Sequence, residues 1–386
     1  MLKKIYNISF IVIFMAIISL PLIKANWTSG GISEDENRYL AEAPKLTVDG
    51  KFNEKFTSEV ETWFMDHMGY RKQLIDCNAK MQYEVFGKML SSSNYYIGRY
   101  GDINYATDDM IKDYAHINLR TEYYVAQIGD SYQVISDWLE EKGIQFYYVQ
   151  CWDKHSIYPE QFMTYVNQIG NISKTDQVIS YLRNNTTVKE ISLKEILVES
   201  KKDYEVYSNW GDPTHWTDRG AYIGYKYIME EINKFNDNKY KILKEEDYHI
   251  SINDMGITLN GFIHEEDMLE EFTIKNPKAK KVENEVLGPF AEDQRHSVWV
   301  NPYVDNDTKL LLVCDSYINS YIVEDFAESY SEVWLIWGNY TEQMDELIEM
   351  YSPDIVIYEC AERVDRSYSV KEFAKKIKKS QMEMKE

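Results

Sequence analysis

The 386-residue chain has few cysteines, no excess of basic charge and one long uncharged apolar run, and each scarcity removes a class of explanation. Its four cysteines, Cys77, Cys151, Cys314 and Cys360, lie far apart with neither C-x-x-C nor metal-type spacing. Cys151, Cys314 and Cys360 each end or follow an apolar, strand-like run, so they read as small buried hydrophobes rather than as a disulfide framework. Forty-two Lys and Arg stand against 64 Asp and Glu, a formal charge of −22. That balance argues against nucleic acid as a partner, because such binding rests on basic side chains neutralising phosphates. With 44% hydrophobic and 14% aromatic residues, the chain can bury a large core and reads as globular, with one large domain or two ordinary ones.

The apolar run is Ile5 to Ile23, 19 residues without charge, preceded by Lys3 and Lys4. Its length suits a hydrocarbon core of about 30 Å. It is a signal anchor or a signal peptide. The exit "PLIKANW" is a poor cleavage site, which favours retention. The two lysines place the N-terminus in the cytoplasm and everything after Asn26 outside. The expected organisation is a transmembrane segment at 1–26, a lead-in and helical segment at 27–110, and an α/β domain at 111–386 with an irregular or β insertion at about 239–300. In the helical segment, Phe56, Val60, Phe64, Leu74 and Met81 keep three- and four-residue spacing, broken near Gly69.

Two stretches, "IGDSYQ" and "LLLVCDSYIN", each offer an Asp-Ser-Tyr. Around the first, Val125, Ile128, Tyr132, Ile135 and Leu139 keep a helical rhythm straight through Gly129, Asp130 and Ser131. A serine nucleophile at a sheet end requires a strand before it and a helix after it. Ser131 therefore reads as a helix-surface residue. Ser316 has the required context: "KLLLVCDSY" is an apolar strand running into a helix. "IQFYYVQCW", "SEVWLIWGNY" and "PDIVIYECAER" are further buried strands separated by helical segments, the pattern of a parallel sheet covered on both faces. Ligands of such sheets bind beyond the carboxyl ends of the strands.

A serine hydroxyl needs a base within hydrogen-bond reach, usually a histidine oriented by a carboxylate. Among seven histidines, His215 has a suitable setting in "SNWGDPTHWTDRG". Asp212 precedes it by three residues, Pro213 stiffens the turn, and Thr217 or Asp218 can cap the following helix. An Asp at that distance can reach Nδ1 while Nε2 faces outward.

"CDS" after a strand, together with "DPTHW", resembles the SGNH (GDSL-like) hydrolase superfamily. The order, Asp-His loop first and serine later, resembles its alginate O-acetyltransferase branch, the AlgX/AlgJ-like or DHHW proteins. "ENRYLAEAPKL", "MDHMGYRKQL", "CWDKHSIYPEQF" and "PDIVIYECAER" look like further segments of that branch, in the same order. The resemblance implies a three-layer, flavodoxin-like α/β fold and a Ser316-His215-Asp212 triad that moves an acetyl group onto an exported or cell-surface polysaccharide. It also implies a membrane-bound acyltransferase of the MBOAT type as donor, and no metal or bound cofactor. Gly338 and Asn339 are its oxyanion candidates. Lys154, Tyr158 and Arg363 are candidates for shaping the site or binding substrate. The branch usually has Asp two residues before His, where this chain has Pro213, and a glycine where it has Cys314. A carbohydrate esterase using the same triad, and a non-catalytic polysaccharide assembly protein, are the alternatives.

Overall fold

The computed structural model describes residues 2–27, 31–33, 38–48, 50–86, 94–163, 165–256, 258–259 and 263–383. Glu36 and Asn37 of "ENRYLAEAPKL" and residues 257 and 260–262 of the stretch 239–300 lie outside the described residues. The chain forms two compact units, 1–90 with 258–264, and 91–257 with 265–386.

In the first unit the N-terminal helix Leu2–Ile23 carries the apolar stretch Ile5–Ile23, exposed along its length and long and apolar enough to cross a membrane. The helices Phe56–His67 and Arg71–Phe86 are interrupted at Gly69 and Tyr70, where the apolar spacing breaks. Asp66 Oδ2 accepts the Ala41 N–H at 2.8 Å, tying "MDHMGYR" to "LAEAP".

The second unit is built on seven strands: β1 (Gln145–Cys151), β2 (Lys189–Ser192), β3 (Lys280–Val282), β4 (Ser297–Val300), β5 (Lys309–Cys314), β6 (Glu332–Trp337) and β7 (Ile355–Ala361). Their spatial order is β3-β4-β6-β5-β7-β1-β2. The five from β6 to β2 are parallel, and β3 and β4 extend the sheet as antiparallel strands. Counted from β5 through β7 and then on to β1 and β2, the parallel strands stand in the order 2-1-3-4-5. That is the flavodoxin-like order, with the chain opened between its third and fourth strands. The point where strand order reverses therefore lies at β5 and β7, and their carboxyl ends face one crevice.

Both faces of the sheet are covered, which is why β5 is apolar from Leu310 to Cys314 and β7 is buried along its whole length. Successive tyrosines on β1 point to opposite faces. Tyr148 meets Tyr132 of α1 (Glu122–Glu140) at 4.7 Å between ring centres. Tyr147 meets Phe235, just past the end of the helix Asp218–Lys234, at 6.3 Å. On the α1 face lie α2 (Lys174–Asn185), near Asp130 and Gly129, and the C-terminal helix Ser367–Glu383, whose Phe373 packs on Trp138.

The first Asp-Ser-Tyr is accounted for by packing. α1 runs through it unbroken; Ser131 Oγ donates to the Gln127 carbonyl at 2.7 Å, and the Tyr181 hydroxyl of α2 donates to Asp130 at 2.8 Å. A Cβ at Gly129 would run into the Tyr181 ring, so that glycine serves the close approach of two helices. Within the stretch 239–300, Tyr248–Asp254 and Met268–Ile274 form an antiparallel hairpin whose Phe272 stacks on Tyr222 of the helix Asp218–Lys234, and β3 and β4 belong to the main sheet, where β4 buries Ser297 and Val298 beside β6.

Candidate active site

β5 ends at Cys314 and the chain turns at once into the short helix Ser316–Asn319. Neither Cys314 nor Asp315 has a positive φ, so the turn does not require the glycine of the resembled branch. Asp315 locks it. Its Oδ1 accepts the Tyr317 N–H at 3.1 Å, its Oδ2 accepts the Ala361 N–H of β7 at 2.8 Å and faces Arg366 at 3.5 Å, and its own N–H donates to Glu359 Oε2 at 2.8 Å. Burial, then the neighbouring Asp315 charge, push the Glu359 carboxyl well above the ordinary range.

The loop carrying Asp212 and His215 is tied at several points. The buried Lys154 ammonium donates to the Ser208 carbonyl at 2.9 Å, to the Ile103 carbonyl at 2.8 Å, and pairs with Asp102 at 3.2 Å. Asp267 Oδ2 accepts the Trp210 and Gly211 N–H groups at 2.6 and 2.9 Å. Beyond the loop, Thr217 caps the next helix by accepting the Gly220 N–H at 3.1 Å, as the sequence suggested.

These constraints bring three residues into line. His215 Nε2 is 2.7 Å from Ser316 Oγ, and His215 Nδ1 is 2.6 Å from Asp212 Oδ2. Thr214 reinforces the pair: its N–H and hydroxyl donate to Asp212 Oδ1 at 2.7 and 2.5 Å, and its Oγ1 lies 2.9 Å from His215 Nδ1. Burial acts to raise the Asp212 carboxyl, but hydrogen bonds from His215 and Thr214 outweigh it and hold the group well below the usual carboxylate range.

Arg363, just beyond β7, lies against the same histidine. One guanidinium nitrogen is 3.4 Å from His215 Nε2; the other pairs with Asp153 and donates to the Thr214 carbonyl at 2.7 Å and the Tyr317 hydroxyl at 3.3 Å. Gly338 and Asn339 follow β6 immediately, and the β6 residue Trp337 is in register with Cys314. Gly338 is buried, and a Cβ there would meet the Arg366 guanidinium; Asn339 is exposed. Among the described residues neither donates to Ser316. Lys154 is turned into the protein. Tyr158 is likewise occupied away from the triad: its hydroxyl accepts the Val206 N–H at 3.3 Å, and the Lys201 ammonium sits 4.7 Å from its ring centre.

Three contributors escaped the sequence reading. Thr214 sits beside His215 inside the quoted motif and was legible there as a second donor. The Tyr321 hydroxyl lies 3.4 Å from Asp212 Oδ2, with its ring 5.6 Å from the imidazole, and Tyr317 packs edge-on to that imidazole at 5.2 Å. No spacing rule marks either tyrosine. As for metal-binding groups, Asp153, His155 and Glu362 place one potential ligand atom each within 4.8 Å of one another, all buried. Asp153 is already committed to Arg363 and Tyr317, and Glu362 to Ser156 Oγ at 2.7 Å and the Asp153 N–H at 3.1 Å.

Residues 125–286 match the model of a family described as SGNH hydrolase-like domain, acetyltransferase AlgX; this segment contains Asp212 and His215 and stops short of Ser316. No curated protein matches the sequence. Among solved structures, PatB1 of Bacillus cereus, determined with a sulfonyl adduct, superposes with a TM-score of 0.53 at 17% identity, covering 70% of this chain and 95% of that one. The O-acetyltransferase domain of Pseudomonas putida AlgJ gives 0.47 at 12% identity, over 74% and 99% of the two chains. A DHHW family protein from Eubacterium siraeum gives 0.44 at 14%, over 66% and 88%. The resemblance drawn from the motifs is borne out: residues 125–286 match an SGNH hydrolase-like domain of the AlgX type, and the fold is the mixed α/β one expected.

Proposed function

We propose that the protein is an extracytoplasmic, membrane-anchored O-acetyltransferase that acetylates an exported or cell-surface polysaccharide through an acetyl-Ser316 intermediate. The reading is carried by one observation, the unbroken line from Asp212 Oδ2 through the His215 ring to Ser316 Oγ, with hydrogen-bond distances of 2.6 and 2.7 Å. It is supported by the AlgX-type domain match and by the apolar N-terminal helix.

With the Nδ1 proton held toward Asp212, Nε2 presents its lone pair to the Ser316 hydroxyl. As Ser316 Oγ attacks the acetyl carbonyl of the donor, its proton passes to Nε2, and the imidazolium is stabilised by the Asp212 carboxylate. The tetrahedral intermediate expels the donor's alkoxide, which takes the proton from Nε2, leaving acetyl-Ser316. A sugar hydroxyl then gives its proton to Nε2 and attacks the ester carbonyl; collapse returns that proton to Ser316 Oγ and releases the acetylated sugar. The oxyanion of both steps is assigned to the Ser316 N–H and to donors around it, with the Arg363 guanidinium, 3.4 Å from Nε2, as a nearby positive charge. Gly338 and Asn339 remain candidates for the same task. Acetyl-CoA is cytoplasmic, so the donor is proposed to be delivered by a membrane-bound acyltransferase of the MBOAT type.

The test is made with the full-length protein in detergent micelles, supplied with a small acetyl ester, with and without glycan oligomers. Expected are one acetyl group on the Ser316 peptide and Ser316-dependent acetyl transfer to glycan. Ester turnover that ignores glycan and yields no acetylated sugar would leave an esterase. Surface acetylation unchanged by Ser316→Ala would leave a non-catalytic role.

A further inference from the structure

A groove of about 330 Å³ opens beside the candidate triad, within the size range of about 300–1,000 Å³ common to small-molecule sites. It is lined by the chain that follows the Ser316 helix, from Asn319 to Asp325, by the strand end Phe272, Thr273 and Ile274 of the hairpin, and by Tyr222 and Tyr248. Tyr321 is shared between groove and triad. Its side chain lines the groove, while its hydroxyl stands 3.4 Å from Asp212 Oδ2 and its ring 5.6 Å from His215. Ser320 donates its N–H to the Ser316 carbonyl at 3.0 Å, so the groove begins one helical turn from the serine.

The chemistry of the lining is one-sided. Tyr222, Tyr248, Phe272 and Tyr321 supply aromatic surface, and Asp218 and Glu324 supply carboxyls, while the Asp325 carboxyl is buried and accepts from the Tyr248 hydroxyl; among the described residues no Lys, Arg or His lines it. Arg219 lies 4.7 Å over the Phe272 ring and is committed to Glu270 at 2.6 and 2.8 Å and to Glu245 at 2.7 Å, and Arg363, beside His215, is paired with Asp153. Aromatic faces suit the C–H faces of sugar rings, and carboxylates accept from sugar hydroxyls. The same carboxylates repel a carboxylate or phosphate brought into a partly enclosed groove, where solvent screens weakly. A protein of charge −22 adds to that repulsion at longer range.

From this we infer that the groove is the acceptor subsite, and that the acceptor is a glycan whose acetylated repeat carries no uronic acid and no phosphate. The inference rests on the acetyltransferase reading and adds to it the place and the charge class of the acceptor.

The test uses cells lacking the gene and complemented with full-length wild type, Ser316→Ala, Thr273→Trp or Glu324→Trp. Two readouts are taken: Ser316-dependent acetyl esters on the isolated surface glycan, and hydrolysis of 4-nitrophenyl acetate by the detergent-solubilised protein. Filling the groove is expected to lower glycan acetylation about tenfold while ester hydrolysis is unchanged, because the small ester does not use the groove. The acetylated repeat is expected to contain neutral or amino sugars alone. Unchanged acetylation in both groove variants overturns the assignment, as does a uronate or phosphate in the acetylated repeat. If one tryptophan variant loses both readouts through misfolding, the other decides. Ester hydrolysis by wild type without any Ser316-dependent acetyl glycan defeats the transferase reading itself, and the subsite with it.

Discussion

Asp212 Oδ2 and His215 Nδ1 lie 2.6 Å apart across a loop that places Pro213 and Thr214 between them. The three-residue separation, one more than in the resembled branch, is absorbed by the turn, and Thr214 holds the carboxylate from the other side at 2.5 and 2.7 Å. Replacing Asp212 with Asn keeps the shape but removes the charge proposed to stabilise the imidazolium. Asp212→Asn is expected to lower kcat on the order of a thousandfold with KM little changed, measured on a small acetyl ester.

Arg363 pairs with Asp153, the Thr214 carbonyl and the Tyr317 hydroxyl through one nitrogen and leaves the other facing His215 Nε2. Lysine has neither the fork nor the reach to do both. Arg363→Lys and Arg363→Met are both expected to reduce kcat/KM about a hundredfold. If the guanidinium acts on the transition state, the loss appears in kcat.

Glu359 is buried under the serine turn, and burial followed by the Asp315 charge holds its carboxyl protonated well above the ordinary range. A protonated Glu and a Gln have the same charge and nearly the same shape. Glu359→Gln is therefore expected to keep near wild-type Tm and activity, whereas Glu359→Ala leaves the Asp315 N–H without its partner and costs about 1–3 kcal/mol in denaturant unfolding.

The two Asp-Ser-Tyr stretches make opposite predictions. Ser131→Ala is expected to leave acetyl-ester turnover unchanged, since its hydroxyl only back-bonds within α1. Gly129→Ala must push against the Tyr181 ring and is expected to cost about 1–3 kcal/mol of stability without a specific catalytic defect.

Asp325 is pushed up to about 7 by burial, against the hydrogen bond it accepts from Tyr248. Between its ordinary value near 3.8 and about 7, the unfolded chain ionises this carboxyl while the folded chain keeps the proton. A rise in pH across that window therefore favours the unfolded state, and above it the effect is constant. Asp325→Asn removes this dependence. Its Tm relative to wild type is expected to rise from pH 4 to about pH 7 and then level off, as read by calorimetry.

Much of the site was legible without coordinates because the signals are local. A helical rhythm through Ser131 and an apolar strand before Ser316 separate the two serines by periodicity alone. Asp212 and His215 sit on one turn, close enough in sequence for their contact to follow from chain geometry, and Thr217 caps the next helix for the same reason. The apolar Ile5–Ile23 helix likewise needs only its own residues.

What tertiary structure decided is which strand ends meet. Arg363 touches His215 from 148 residues away because β7 lies beside β5 at the point where strand order reverses. Lys154 turns inward because Asp102 and two backbone carbonyls need a buried donor. Residues 280–282 and 297–300 complete the sheet because β6 had an unpaired edge beyond the parallel strands. Local sequence sets periodicity, caps and turns. Partners across crossovers depend on the order in which strands pair, which no stretch of residues carries by itself.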